Sequence, residues 1–192
     1  RADAGDRVTV VDKGRRHGGR MATRRVAGGA ADTGVATFAA RAASFLDALR
    51  TWADDGSVAL AGDGPGRWRG TPTMRDLPTH LATATDVAVH LATTVTALTV
   101  VDGRWRATLR PREEAQGPAT GPANGPAAGP ASDGDGVTTH EADVLVLTAP
   151  APQAAALLRT GDGLVAADTL AALDAVTYDA TLAVVVHPDG PV

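Results

Sequence analysis

The stretch Arg7–Arg25, RVTVVDKGRRHGGRMATRR, constrains this chain more than any other. Val8–Val11 is a β-branched run that reads as a short buried parallel strand. Asp12 stands at its carboxyl end, where open α/β sheets bind ligands. The step Gly18-Gly19-Arg20 follows inside a strongly basic segment. A carboxylate delivered by a strand end suits ribose hydroxyls. Glycines let the backbone approach a ligand with no Cβ in the way, and a guanidinium can hold a pyrophosphate in a two-pronged grip. This combination is the chemistry of dinucleotide binding. In a Rossmann unit the glycine-rich phosphate loop lies about 20 residues before the acidic residue. Counting back from Asp12 passes Arg1, so the G-x-G-x-x-G is expected upstream, and the chain reads as a fragment lacking both ends.

Composition narrows the class. Aromatics make up only 3% of the 192 residues, so Ala, Val and Leu must do most of the packing. The net charge of −4 argues against a nucleic-acid binder, which usually carries a basic face. With no cysteine there is no disulfide framework, thiolate nucleophile or zinc-thiolate site. No apolar run approaches the roughly 20 residues needed to span a bilayer, so a cytoplasmic protein without membrane contact is expected. The histidines, His17, His80, His90, His140 and His187, show no H-E-x-x-H or similar spacing, and no metal is expected. Nor does any nucleophile elbow or Ser/His/Asp set stand out.

Along the chain, Gly5 fits a helix end within residues 1–6. Ser44–Asp54 reads as an amphipathic helix, with Phe45, Leu49 and Trp52 at helical spacing, Ser44 and Asp47 as a capping box, and Gly56 as its stop. Residues 62–72 read as a turn-rich connection. Met74–Ala84 reads as a second helix, provided Pro78 falls in its first turn. Val87–Leu91 and Val95–Val101 read as strands, and Asp102-Gly103 signals a hairpin into Arg104–Leu109. Residues 117–136 hold four Gly-Pro steps and read as a disordered or extended elaboration of a hairpin loop, dispensable for chemistry, with a domain linker as the alternative. Val144–Leu147 reads as a further buried strand, Gln153–Leu158 and Asp168–Leu173 as helices, and Thr181–Val186 as a strand. The expected fold class is mixed α/β, a Rossmann-like lobe with an antiparallel meander.

The basic cluster Lys13, Arg15, Arg16, Arg20, Arg24 and Arg25 lacks the interleaved aromatics of a nucleic-acid patch, which makes a dinucleotide phosphate its more economical partner. Arg41 and Trp52 are candidates to face a substrate cavity, but they read more readily as a surface cation and a core aromatic.

The string VVDKGRRHGGRMATRR (Val10–Arg25) resembles the second strand and Gly-Gly-Arg motif of FAD-dependent amine-oxidase-like oxidoreductases. It resembles renalase-like proteins more closely, through Asp12-Lys13 and GGRM-x-T. Three further stretches fit in order: ADTGVATFAAR (Ala31–Arg41), GTPTMRDLPTHLA (Gly70–Ala82) and ADVLVLTAPAPQAAALL (Ala142–Leu158). The resemblance implies a flavoprotein with an FAD-binding lobe, 1–42 with 70–150, and a partial substrate lobe, 43–69 with 151–192. It implies that Asp12, beside Lys13, holds the adenosine ribose, and that Gly18, Gly19 and Arg20 line the pyrophosphate and flavin side. Ala36 and Thr37, where the family often has Gln and an aromatic, would contact flavin through backbone groups. Val95 would offer its backbone to the adenine.

The function this implies is FAD-dependent oxidation of a small molecule, a dihydronicotinamide-like compound or an amine, by hydride transfer to flavin. Hydride departure does not strictly need a protein base, and no catalytic residue is assigned. The alternatives are an NAD-dependent Rossmann dehydrogenase, which needs a second half of βαβ units, and a non-catalytic remnant.

Overall fold

The computed structural model describes residues 5–26, 28–62, 64–85, 87–112, 136–180, 182 and 184. The chain is mixed α/β and divides into two compact units. One comprises Arg1–Val8, Arg16–Val87 and Thr181–Val192; the other comprises Thr9–Arg15 and Ala88–Ala180. The expected elaboration at 117–136 and the expected strand Thr181–Val186 lie outside the described residues, except for Gly136, Leu182 and Val184. Of residues 1–6 only Gly5 and Asp6 are described.

In the first unit a single 3-10 turn, Gly19–Met21, leads into an antiparallel hairpin of β2 (Thr23–Val26) and β3 (Gly29–Asp32), with Thr23 opposite Asp32. A second sheet follows, in the order β4 (Phe38–Ala39), β6 (Arg67–Gly70), β5 (Val58–Leu60), with both pairings antiparallel. Strand β6 corrects the reading of 62–72 as a turn. Arg67, Trp68 and Arg69 alternate, and only Trp68 of the three packs against the core. The flanking arginines and glycines hid that period of two.

Helix α1 (Ala43–Asp54) buries Leu49, which with Val58 and Leu77 forms the core of this unit. Trp52 packs against that cluster and meets Phe45 edge-on at 6.0 Å, the core role expected of it. The capping box is not made. The helix begins one residue early, its N-cap is Ala42, and Asp47 pairs with Arg50 instead. The stop at Gly56 holds. With φ of 80° it donates to the Ala53 carbonyl, and Ser57 donates to Trp52, the paired bonds of a Schellman ending. Helix α2 (Asp76–Ala84) starts two residues later than expected, which places Pro78 in its first turn.

Strands β1 (Val8–Val11) and β7 (Val87–His90), which but for their first residues belong to the second unit, pair with each other. Strand β1 is less buried than expected; Val10 is 42% exposed. The expected meander is present: β8 (Thr93–Val101), β9 (Arg104–Pro111) and β10 (Thr138–Ala142) run antiparallel in the order β10-β9-β8. Asp102 (φ 51°) and Gly103 (φ 74°) make the two-residue turn between β8 and β9. The expected strand at Val144–Leu147 is absent. Val144 and Val146 are 64% and 75% exposed, and no described strand pairs with them. The third strand is instead the polar run Thr138–Ala142, held in register by Arg106 donating to Glu141 across the ladder.

Helices α3 (Ala151–Leu158) and α4 (Ala167–Asp174) complete this unit. Ala151, Ala154, Ala155 and Leu158 of α3 are buried, and the small side chains let the helix lie close to β8. Its C-terminal end is fastened there by the Leu98 amide, which donates to the Thr160 hydroxyl at 2.8 Å.

Candidate nucleotide-binding residues

In the second unit the end of β1 forms a braced turn. The Gly14 amide donates to Asp12 Oδ1 at 2.7 Å, the self-closing turn that Asp side chains favour. The Asp12 amide donates to the His90 carbonyl (2.9 Å) and the Thr93 amide to the Asp12 carbonyl (3.0 Å). Ala92, at a φ of 50°, donates to the Gly14 carbonyl. Asp12 is therefore fixed at a strand end and half-buried, and its second carboxylate oxygen makes no hydrogen bond among the described residues. That oxygen is the acceptor a ribose hydroxyl would need.

Lys13 is exposed, and its Nζ donates to Gln153 Oε1 of α3 at 3.2 Å. Gln153 lines a shallow depression of about 340 Å³ together with Val95, Thr96, Ala156, Leu157 and Thr160. Lys13 and Val95 thus meet around one glutamine. The β8–β9 register slips between Val95 and Ala97. Such bulges re-aim a strand locally and are frequent beside binding sites.

In the first unit Gly18 (φ 106°) and Gly19 (φ 44°) carry the chain into the 3-10 turn. A Cβ at Gly18 would lie 3.4 Å from Arg75 Cγ and 3.5 Å from Pro78 Cγ, so the glycine pair is packed against the start of α2. Arg20 is exposed. Its carbonyl accepts from the Val35 amide at 2.9 Å, and the Ala22 carbonyl accepts from Thr33 and Gly34. The loop after β3 therefore lies directly on the Gly-Gly-Arg segment. A Cβ at Gly34 would collide with the Arg20 carbonyl and lie 2.9 Å from the Ala22 amide nitrogen, closer than folded proteins tolerate. Ala36, exposed, and Thr37, half-buried, follow in this loop, and Thr37 Oγ1 accepts from Arg67 Nε at 2.9 Å.

Asp12, Lys13 and Val95 thus belong to one unit, and Gly18, Gly19, Arg20, Ala36 and Thr37 to the other. The basic cluster divides likewise, with Lys13 and Arg15 in the second unit and Arg16, Arg20, Arg24 and Arg25 in the first. Arg41 is exposed in the first unit.

Sequence reasoning passed over Asp32, Thr23 and Arg75. Asp32 accepts from the Thr23 hydroxyl (2.5 Å) and, through both oxygens, from the Met74 amide (3.2 Å). The Arg75 amide donates to Thr23 Oγ1 at 3.3 Å, and Thr73 donates twice to Asp76. This network ties the β2–β3 hairpin to the N-terminal end of α2. The only signal for it in the chain is the acidic-x-Gly pattern of Asp32 and Gly34. Among the described residues no group of three or more His, Asp or Glu side chains is placed to hold a metal ion, and no helix is long and apolar enough to cross a membrane.

No curated protein matches the chain. Residues 1–50, from before β1 into α1, match the family of NAD(P)-binding Rossmann-like domains, which supports a dinucleotide-binding oxidoreductase.

Proposed function

We propose that the chain is part of an FAD-dependent oxidoreductase that oxidises a small molecule, a dihydronicotinamide-like compound or an amine. The observation that carries this reading is the backbone lock between Arg20–Ala22 and Thr33–Val35. Those are two of the motifs by which the chain resembles FAD-dependent amine-oxidase-like enzymes, and they lie in direct contact within one unit. The match of residues 1–50 to a dinucleotide-binding family supports the cofactor class.

Each unit by itself carries residues of the kind such a cofactor needs. Asp12 would accept from a ribose hydroxyl through its open oxygen, Lys13 lies beside it, and Val95 would offer backbone to adenine. Gly18 and Gly19 would admit a pyrophosphate close to the main chain, and Arg20 would neutralise its charge. Ala36 and Thr37 would present backbone groups to the flavin, since the Thr37 hydroxyl is engaged by Arg67. FAD, when bound, supplies the hydride acceptor; the protein supplies binding, orientation and electrostatics.

A second reading is an NAD(P)-dependent dehydrogenase, favoured by the nicotinamide dinucleotides named for the matched family. Against it stands the meander β8-β9-β10, where a dehydrogenase of the Rossmann type would continue with βαβ units. Purification followed by an absorption spectrum separates them. Yellow protein that releases FAD on denaturation supports the first reading. Colourless protein that binds NAD(P) and not FAD supports the second and overturns the first.

A further inference from the structure

Beside the β2–β3 hairpin the first unit has an open depression of about 410 Å³ lined by Arg16, Thr23, Arg24, Arg25 and Arg75. Four arginines line it, in a chain whose net charge is −4. Like charges so grouped repel one another, and a bound anion would offset that repulsion. Among the described residues no carboxylate pairs with Arg24, Arg25 or Arg75. Arg75 Nε is buried and has no acceptor, a costly state for a donor of a charged group.

Backbone contacts position these arginines. Arg24 and Arg25 stand opposite Ala31 and Ala30 in the hairpin ladder. Arg75 is anchored by its amide on Thr23 Oγ1 and by its stem against Gly18. Planar guanidinium forks match the oxygens of phosphate in bidentate pairs, which ammonium groups do not. The volume lies in the range of small-molecule sites, and no aromatic side chain lines it, as stacking on nucleic-acid bases would require.

We propose that this arginine-lined depression binds a phosphate-bearing group, a phosphoryl or pyrophosphoryl anion. It is distinct from the grip expected of Arg20, which does not line it, and it includes Arg75, which the basic cluster near the N-terminus does not. It stands independently of the flavin reading, because inorganic anions probe it without any cofactor.

The test is isothermal titration of the protein with inorganic pyrophosphate, repeated with the variants Arg24→Gln/Arg25→Gln and Arg75→Gln. The wild-type protein is expected to bind, and each variant to bind at least tenfold more weakly. Arg24 and Arg25 are exposed, so the double variant keeps its fold, which a circular dichroism melt verifies. No binding to the wild type, or equal affinity in the folded double variant, overturns the proposal. So does tighter binding of a single-stranded oligonucleotide than of pyrophosphate. Competition identifies the source of the anion. Displacement of pyrophosphate by FAD upholds the site as the cofactor's own; persistence of pyrophosphate binding in flavin-loaded protein upholds it as the site of a phosphorylated substrate. Protein that binds pyrophosphate and no FAD upholds the site while overturning the flavin reading.

Discussion

Gly34 lies directly against the Arg20 carbonyl, with no room for a Cβ between them. Two stretches separated in the chain are thereby pressed into one loop pair, and a methyl group at Gly34 has to push them apart. Gly34→Ala is expected to cost about 3 kcal/mol, at the upper end of what overpacking costs, and to lower flavin content with it. Gly19 offers the contrast, since its φ is 44° and a Cβ there would meet nothing within 4 Å. Gly19→Ala should cost only about 1 kcal/mol, the backbone penalty alone. Urea unfolding of both variants checks the difference; equal costs would contradict the close approach.

Asp32 accepts from the Thr23 hydroxyl and the Met74 amide. Asp32→Asn keeps the shape but can turn an amide donor toward one of these donors and removes the charge assistance. A loss of about 2 kcal/mol is expected, which for a chain of this size lowers the melting midpoint by about 4–8 °C. Thermal denaturation measures it. An unchanged midpoint would mean that the network does not hold the hairpin to α2.

The parts of this fold that were legible in the sequence are those with local causes. Helix α1 follows from Leu49 and Trp52 at helical spacing, and the β8–β9 turn from Asp102-Gly103. Asp12 at a strand end follows from the β-branched run before it. The parts that were not legible depend on a partner elsewhere in the chain. Strand β6 is short and two of its four residues are arginines, and only the pairing of Trp68 with both Phe38 and Leu60 makes it a strand. The apolar Val144–Leu147 lacks such a partner, while the polar Thr138–Ala142 gains one through β9. The same holds at the candidate site. The Gly-Gly-Arg string is visible by itself, but the packing of Arg75 against Gly18 arises only because α2 starts beside that glycine.

Core packing in the first unit centres on Leu49, which is fully buried against Val58 and Leu77. Leu49→Ala should destabilise by about 3 kcal/mol, the transfer cost plus that of the cavity left behind. Leu46, only half-buried, should cost less when truncated. Chemical denaturation of the two variants tests the order; a larger loss at Leu46 would contradict the burial pattern.

Asp12 separates a structural from a binding role within one carboxylate. Oδ1 braces the turn at Gly14, and the other oxygen is open. Asp12→Asn preserves an acceptor for the turn while weakening the charged acceptor offered to a ribose. The expected result is a melting midpoint close to wild type and a dinucleotide dissociation constant raised about tenfold, as loss of a hydrogen bond to a charged group implies. Equilibrium titration with FAD provides the number. Unaltered affinity would remove Asp12 from the site.

Asp55, just past the end of α1, has its carboxyl held below the ordinary value of 3.8. The main cause is the Ser57 hydroxyl, followed by the Ser57 amide at 2.9 Å, with His80 Nε2 at 3.2 Å adding charge when protonated. A carboxyl with a lower pKa folded than unfolded stabilises the fold at pH above its unfolded value. That contribution is lost as pH falls through the folded value. Asp55→Asn should therefore be less stable than wild type at about pH 6, and the gap should narrow at about pH 3 and below, where the wild-type carboxyl takes up its proton. The group is exposed and the effect small, so urea midpoints for both proteins must be measured side by side at each pH. A gap of constant size across this range would show that the Ser57 hydrogen bonds do not depend on the carboxylate charge.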